Sequence, residues 1–187
     1  MIELETNRRI VIVDFDRTGV GASISPILSE IFGLDCEHID LPFPKTELRE
    51  EQCDARDIVK YLREQLPQRG DLVLGITRRD SFVPSLNFVF GLADMKSGAA
   101  MVSFNRLKNS RQEIFLERCL KEAVHEIGHL FELGHCMNPI CVMHFSNSLI
   151  ETDLKSYKFC ERCSERISRQ GTGRRKGQTQ KVATRHE

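Results

Sequence analysis

The stretch HEIGHLFELGH at residues 125–135 combines a helical apolar pattern with side chains that bind metals. Apolar residues recur every three or four positions from residue 116 to residue 130, which predicts one long helix. On that helix His125 and His129 lie about 40° apart, so both imidazoles can bind one zinc ion. Glu126 projects beside them, where a carboxylate can take a proton from water. Chance spacing of two solvent-facing histidines is the alternative for this motif taken alone.

A third histidine, His135, follows His129 by six residues, across a Leu-Gly pair that can end the helix and turn the chain back. Three imidazoles leave one of the four coordination positions of a zinc ion open, and the pKa of a water in that position falls to about 7. Such a site makes hydroxide available near neutral pH. The pattern therefore predicts hydrolytic zinc chemistry.

Four cysteines follow in two short pairs with the spacing C-x4-C-x18-C-x2-C; they are Cys136, Cys141, Cys160 and Cys163. Four thiolates fill the tetrahedral positions of a zinc ion, so the spacing predicts a structural site with no open position. Disulfides are the alternative, but an odd total of seven cysteines favours a reducing compartment. The other three, Cys36, Cys53 and Cys119, are expected to be buried or inert thiols.

The first hundred residues alternate between strand-like and helix-like patterns. Strands are predicted at residues 9–15, 37–41, 71–77, 86–94 and 99–104. Helices are predicted from the Ser25-Pro26 pair to Gly33, and from Asp54 to Leu66. Because parallel neighbours need crossover connections, this order favours a partly parallel sheet, to which the turn before residue 99 adds an antiparallel strand. The predicted fold class is α/β (α+β).

The composition fits one domain with a small appendage. The chain has 187 residues, of which 40% are hydrophobic and 29% charged, and this excludes a wholly disordered chain. No window approaches the roughly 18 uninterrupted apolar residues of a membrane helix, and the opening residues lack the order of a secretory signal. A cytoplasmic location and no membrane partner are expected.

Basic residues are concentrated at the C-terminal end. Residues 166–187 carry seven basic side chains against one acidic side chain, although the whole chain has 27 of each. With few large apolar residues to offset the entropy of ordering it, this stretch is predicted to be a flexible, solubilising tail. Attraction to nucleic acid is the alternative, which the absence of interleaved aromatic residues weakens.

The run HEIGHLFELGHCMNPICVM at residues 125–143, followed by CERC at residues 160–163, closely resembles the archaemetzincin family of the metzincin clan. The resemblance implies a zinc-dependent peptidase with one catalytic and one structural zinc ion. It implies a metzincin-like mixed twisted sheet with the active-site helix in residues 1–132, and a small cysteine-zinc subdomain in residues 133–165. The implied site residues are His125, His129 and His135 on the catalytic zinc, Glu126 as base and acid, Met143 in the Met-turn, and Cys136, Cys141, Cys160 and Cys163 on the second zinc.

The sequence departs from the family pattern at one position. The pattern has Gly three residues after the second histidine, where this sequence has Glu132. If that position requires a left-handed backbone, a residue other than Gly costs roughly 1–2 kcal/mol. Gly134 could make the turn instead. This departure affects the turn that positions His135 at the metal.

Two neighbours on the long helix allow simple interpretations. Glu122 lies one turn before His125 and could accept an imidazole N–H, or it could be a solvated carboxylate. Gly128 is expected to permit close packing of a neighbouring element.

The expected function is hydrolysis of peptide bonds by a monomeric enzyme, with the endopeptidase and aminopeptidase subtypes left open. The family resemblance implies that an extended peptide pairs with an edge strand, for which residues 86–94 are the candidate. Two alternatives are a metzincin-shaped zinc-binding or peptide-binding protein with weak or absent activity, and a zinc-finger protein that binds nucleic acid through the basic tail.

Overall fold

The computed structural model describes residues 8–66 and 71–171, whose core is a mixed five-stranded sheet. In chain order the elements are β1 (Ile10–Asp14), α1 (Val20–Phe32), β2 (Cys36–His38), β3 (Leu48–Arg49), β4 (Gln52–Asp54), α2 (Ala55–Gln65), β5 (Leu72–Thr77), β6 (Ser81–Phe82), β7 (Gly91–Asp94), β8 (Ala99–Ser103), a 3-10 helix (Asn105–Leu107), α3 (Gln112–Leu130), α4 (Leu149–Leu154) and α5 (Glu161–Gly171).

The main sheet has the order β2-β1-β5-β8-β7. Neighbouring strands from β2 to β8 pair in parallel, and β7 pairs antiparallel with β8 at one edge. A small second sheet contains β3, β4 and β6. The mixed α/β fold with an added antiparallel strand is therefore confirmed.

Alternation along the strands places helices on both faces of the main sheet. Ile10 and Ile12 belong to the buried cluster that includes α1 and α3, whereas Val11 and Val13 belong to the cluster that includes α2. Successive side chains of a strand point to opposite faces, so a continuous apolar run is buried on both sides. The sheet thus forms a rigid support for α3, which packs against β7, β8 and α1.

The predicted start of the first helix is wrong. α1 begins at Val20, so Pro26 lies inside the helix rather than in its first turn. Proline lacks an N–H group and usually marks a helix start, but here the helix tolerates one missing hydrogen bond. The end is as predicted: Gly33 has φ 64° and its N–H donates to the Ser29 carbonyl at 2.8 Å.

The strand predicted at residues 86–94 is too long. Only Gly91–Asp94 forms β7. Before it, the Leu86 and Asn87 carbonyls accept hydrogen bonds from the Arg49 guanidinium, at 3.2 and 2.7 Å. These carbonyls are used by a side chain instead of a neighbouring strand, which explains the shorter β7.

The first residues of the predicted tail, 166–171, belong to a helix. α5 continues to Gly171, and the rest of the predicted tail, residues 172–187, lies outside the described residues. Within the described part of the chain, no helix combines the length and apolar character that crossing a membrane requires.

Candidate active site

Two histidines on α3 have their rings oriented by backbone carbonyls. His125 Nδ1 lies 2.8 Å from the Val142 carbonyl oxygen, and His129 Nδ1 lies 2.7 Å from the Leu133 carbonyl oxygen. A carbonyl can only accept, so each Nδ1 carries the hydrogen and each Nε2 is left with a free lone pair. Carbonyl partners of this kind fix the tautomer and ring orientation of metal-binding histidines.

His135 completes a cluster with these two residues. One ring nitrogen from each histidine lies within 4.8 Å of the others. Two nitrogens bound to one tetrahedral zinc ion at ~2.0–2.1 Å are about 3.3 Å apart. The 3.1 Å between His125 Nε2 and His129 Nε2 is close to that value. The donor set therefore fits zinc, with His135 more exposed than its two partners.

The environment of the three histidines favours their neutral form. Burial lowers the pKa of His125 well below its usual range, and it also lowers the pKa of His129 and His135. The Lys155 ammonium group adds to the lowering at all three rings. Metals bind neutral imidazole, so this electrostatic environment suits ligands.

Glu126 lies beside the histidines and is buried under β7. Burial raises the pKa of Glu126 well above its usual range, the nearby Glu122 carboxylate raises it further, and Lys155 opposes both. A Cβ atom added to Gly91 would lie 2.5 Å from Glu126 Oε1 and 2.6 Å from its Cδ. The backbone of β7 can contact this carboxylate only because residue 91 is glycine. No pattern in the sequence singled out Gly91.

The helix ends at the position where the sequence departs from the family pattern. Glu132 has φ 56°, its N–H donates to the His129 carbonyl at 2.8 Å, and the Leu133 N–H donates to the Gly128 carbonyl at 3.2 Å. This is a Schellman motif with a left-handed residue that is usually glycine. Glu132, and not Gly134, takes the left-handed conformation. The Arg166 guanidinium donates to the Glu132 carbonyl at 3.1 Å.

Met143 is fully buried beneath the histidine-bearing turn of α3. A Cβ atom added to Gly128 would lie 2.5 Å from Met143 Sδ. The close packing expected at Gly128 is therefore present, and its partner is the predicted Met-turn residue.

The four cysteines form a second cluster next to the first, with their sulfur atoms all within 4.8 Å of one another. The seven cysteines of the chain are all free thiols, and three of the four in the cluster are buried. Burial raises the pKa of Cys160, but hydrogen bonds from Cys163, Cys141 and Cys136 outweigh it and lower the value to about 7. The cluster offers four convergent sulfur ligands, with the spacing that a tetrahedral zinc site needs.

The two clusters share backbone. Cys136 directly follows His135, and Cys141 directly precedes Val142, whose carbonyl orients His125. The Cys136 N–H donates to the Met143 carbonyl at 2.8 Å, which closes the loop between them. A displacement of the cysteine segment can therefore move His135 and the carbonyl that orients His125.

Glu122 matches neither interpretation drawn from the sequence. It is buried, and its Oε1 atom lies 3.0 Å from Lys155 Nζ rather than on an imidazole. The burial of Lys155 could not be predicted from the sequence, because a lysine in a polar segment is usually exposed.

A cleft of about 550 Å³ opens onto the histidines and Glu126. Its walls are mostly apolar, and they include Leu86, Phe88, Phe90, Leu92, Met95 and Phe145. Phe145 lies against His135, with ring centroids 4.8 Å apart. The cleft therefore places the histidine cluster at the base of a surface suited to apolar groups.

Comparisons with known proteins agree with this geometry. The model of Peptidase family M54 matches residues 49–169. A curated archaemetzincin from Methanopyrus kandleri is 52% identical over 115 residues, which are 62% of this chain and 65% of the relative, so the match spans slightly less than two thirds of that protein.

Two crystal structures are similar over most of their length. The archaemetzincin of M. kandleri superposes with a TM-score of 0.82 and 35% identity, covering 91% of this chain and 98% of the other. A zinc-dependent peptidase from Methanocorpusculum labreanum gives a TM-score of 0.76 and 31% identity, covering 84% and 99%.

Proposed function

Because the chain belongs to Peptidase family M54, the archaemetzincins, we propose that it is a zinc metallopeptidase whose catalytic metal is held by His125, His129 and His135. The observation that carries this proposal is the convergence of three imidazole nitrogens at the base of an apolar cleft, beside a buried carboxylate. The name of the M. labreanum relative, a zinc-dependent peptidase, supports the choice of metal.

Glu126 is the general base and acid in this proposal. A zinc ion held by the histidines supplies a Lewis acid that activates water and polarises the scissile carbonyl. Glu126 takes the proton of the attacking water and delivers it to the leaving amine. Its burial raises the affinity of the carboxylate for a proton, and Gly91 leaves the space in which it is held. The mostly apolar wall of the cleft lies beside these groups.

The substrate is a peptide bound in extended form along β7. This strand lies at the edge of the main sheet, where it pairs with β8 on one side. Gly91 and Leu92 of β7 also line the cleft. Main-chain hydrogen bonds to such an edge give affinity, and pockets for the side chains give selectivity. The apolar lining favours peptides with a large apolar side chain next to the cleaved bond.

Cys136, Cys141, Cys160 and Cys163 hold a second, structural zinc ion in this proposal. The four ligands close the coordination sphere and leave no position for substrate. This ion fixes the segments that carry His135 and the Val142 carbonyl.

The test is cleavage of a broad peptide library by the purified, zinc-loaded protein, with Glu126→Gln as the matched control. The wild type should cut beside large apolar residues. The variant should keep its zinc and lose about a hundredfold or more in rate. A protein that binds both zinc ions yet cuts no peptide would instead be a binding module.

A further inference from the structure

A buried ion pair lies behind the candidate active site. Lys155 Nζ is 3.0 Å from Glu122 Oε1, and the two side chains are 0% and 4% exposed. The Thr152 hydroxyl also donates to Glu122 Oε1, at 3.3 Å. Lys155 directly follows α4, so the pair joins that helix to α3. Opposite charges this deep in a protein carry a large desolvation cost.

The pair is close to the histidine cluster. Glu122 is one helical turn before His125 and Glu126, and side chains three and four positions apart on a helix are neighbours. Glu122 lines the same cleft as those two residues, whereas Lys155, which is 3.0 Å from Glu122, is not among the residues of the cleft wall.

Stability alone does not account for this pair. Replacing a buried ion pair by apolar residues is often neutral or stabilising. α4 is also held to α3 by another contact, since the Arg118 guanidinium binds Asp153 in a two-bond arrangement at 2.7 and 2.6 Å. The Lys121 ammonium adds a hydrogen bond to the Asp153 carbonyl at 3.1 Å. The Glu122–Lys155 pair is therefore not needed to attach α4.

We propose that Glu122 and Lys155 balance the charge beside the histidine cluster and thereby set how tightly it holds a divalent cation. This inference rests on the proposed function, in which the three histidines bind zinc. A carboxylate near the ion strengthens binding and an ammonium group weakens it, by amounts that grow in a low-dielectric interior. In the pair the two effects oppose each other and fix the affinity at an intermediate value, so that removal of either charge leaves the other unopposed.

Three variants of the full chain test this: Glu122→Gln, Lys155→Met and the double variant. Zinc affinity of the histidine cluster is measured by competition with a chelator while the cysteine cluster stays loaded. We expect Glu122→Gln to weaken zinc binding by about tenfold and Lys155→Met to strengthen it by a similar factor. The double variant should return to within about threefold of the wild type.

Asp153→Asn is the matched control, because it breaks the other charged contact between α3 and α4. It should lower the thermal unfolding temperature without changing zinc affinity. The proposal is overturned if both single variants weaken zinc binding alike, or if the double variant does not restore it, since both results indicate a purely structural pair. A wild-type protein whose histidines bind no zinc would instead overturn the proposed function.

Discussion

The histidine and cysteine clusters are adjacent in the chain and differ in almost every physical respect. His125 and His129 lie on a long helix that packs on the sheet, and their orientation depends on carbonyl hydrogen bonds. Three of the four cysteines lie between α3 and α5, and Cys163 lies in the first turn of α5. The first cluster faces an open cleft, whereas three of the four sulfur ligands in the second are buried.

This difference shows what each cluster contributes. The helix and two carbonyl hydrogen bonds position His125 and His129, so the zinc ion that we propose there would not be needed to hold the fold together. The segment between α3 and α5 has little regular structure apart from α4, and a zinc ion on four thiolates would stabilise it in addition to its buried residues. The third histidine, His135, lies close to the other two but is carried by the loop that also carries Cys136.

The largest effect is expected from Cys160→Ser, which tests the proposed structural role of the cysteine cluster. Loss of one thiolate should release the structural zinc and lower the unfolding temperature by at least about 10 °C. Cys36→Ser is the matched control, because Cys36 lies outside the cluster and is half-buried. Calorimetry checks both variants. An unchanged transition in Cys160→Ser would mean that the cysteines do not hold a structural ion.

The next largest effect is expected from Gly91→Ala, which tests the position of Glu126 beside the histidine cluster. The added methyl group must displace the Glu126 carboxylate, and a displacement of about 1 Å can cost a hundredfold in rate. We expect kcat to fall by about that factor, while KM and the zinc content change little.

Unfolding temperatures provide a control for Gly91→Ala that does not depend on activity. The substitution should destabilise the wild type, yet cost much less in a Glu126→Ala background, where the clashing atoms are gone. Equal costs in both backgrounds would show that the methyl group meets something other than Glu126.

The smallest effect is expected from Glu132→Gly, at the turn that joins the two clusters. Glycine adopts φ 56° without the steric cost of a side chain, so the free energy of unfolding should rise by about 1 kcal/mol. Gly134→Ala is the control, since Gly134 is not left-handed and an added Cβ meets no atom within 4 Å. Chemical denaturation compares the two. A destabilised Glu132→Gly variant would mean that Glu132 makes a contact worth more than its backbone strain.

Local features could be predicted from the sequence. Two histidines four positions apart share one helix face, and cysteines in short pairs share a loop, so both clusters follow from spacing alone. The mixed sheet followed from the alternation of strands and helices. The sequence left open whether residue 132 or Gly134 makes the turn after the helix, and in the structure Glu132 takes the left-handed conformation.

Contacts between distant segments could not be predicted in this way. Gly91 and Lys155 act on residues of α3 from other parts of the chain, and neither belongs to a periodic pattern. The start of α1 was missed because Pro26 lies inside the helix, where the sheet beneath it stabilises the surrounding turns. Tertiary packing decided each of these cases.

Stepwise removal of metal tests most directly that the two clusters bind separate zinc ions with different roles. A weak chelator is titrated into the fully loaded protein, and zinc content, peptide cleavage and folded structure are followed together. The account predicts that one zinc ion leaves first, that cleavage stops with it, and that the fold persists until the second ion is removed. Simultaneous loss of both ions, or cleavage that continues after the histidine cluster is empty, would contradict it.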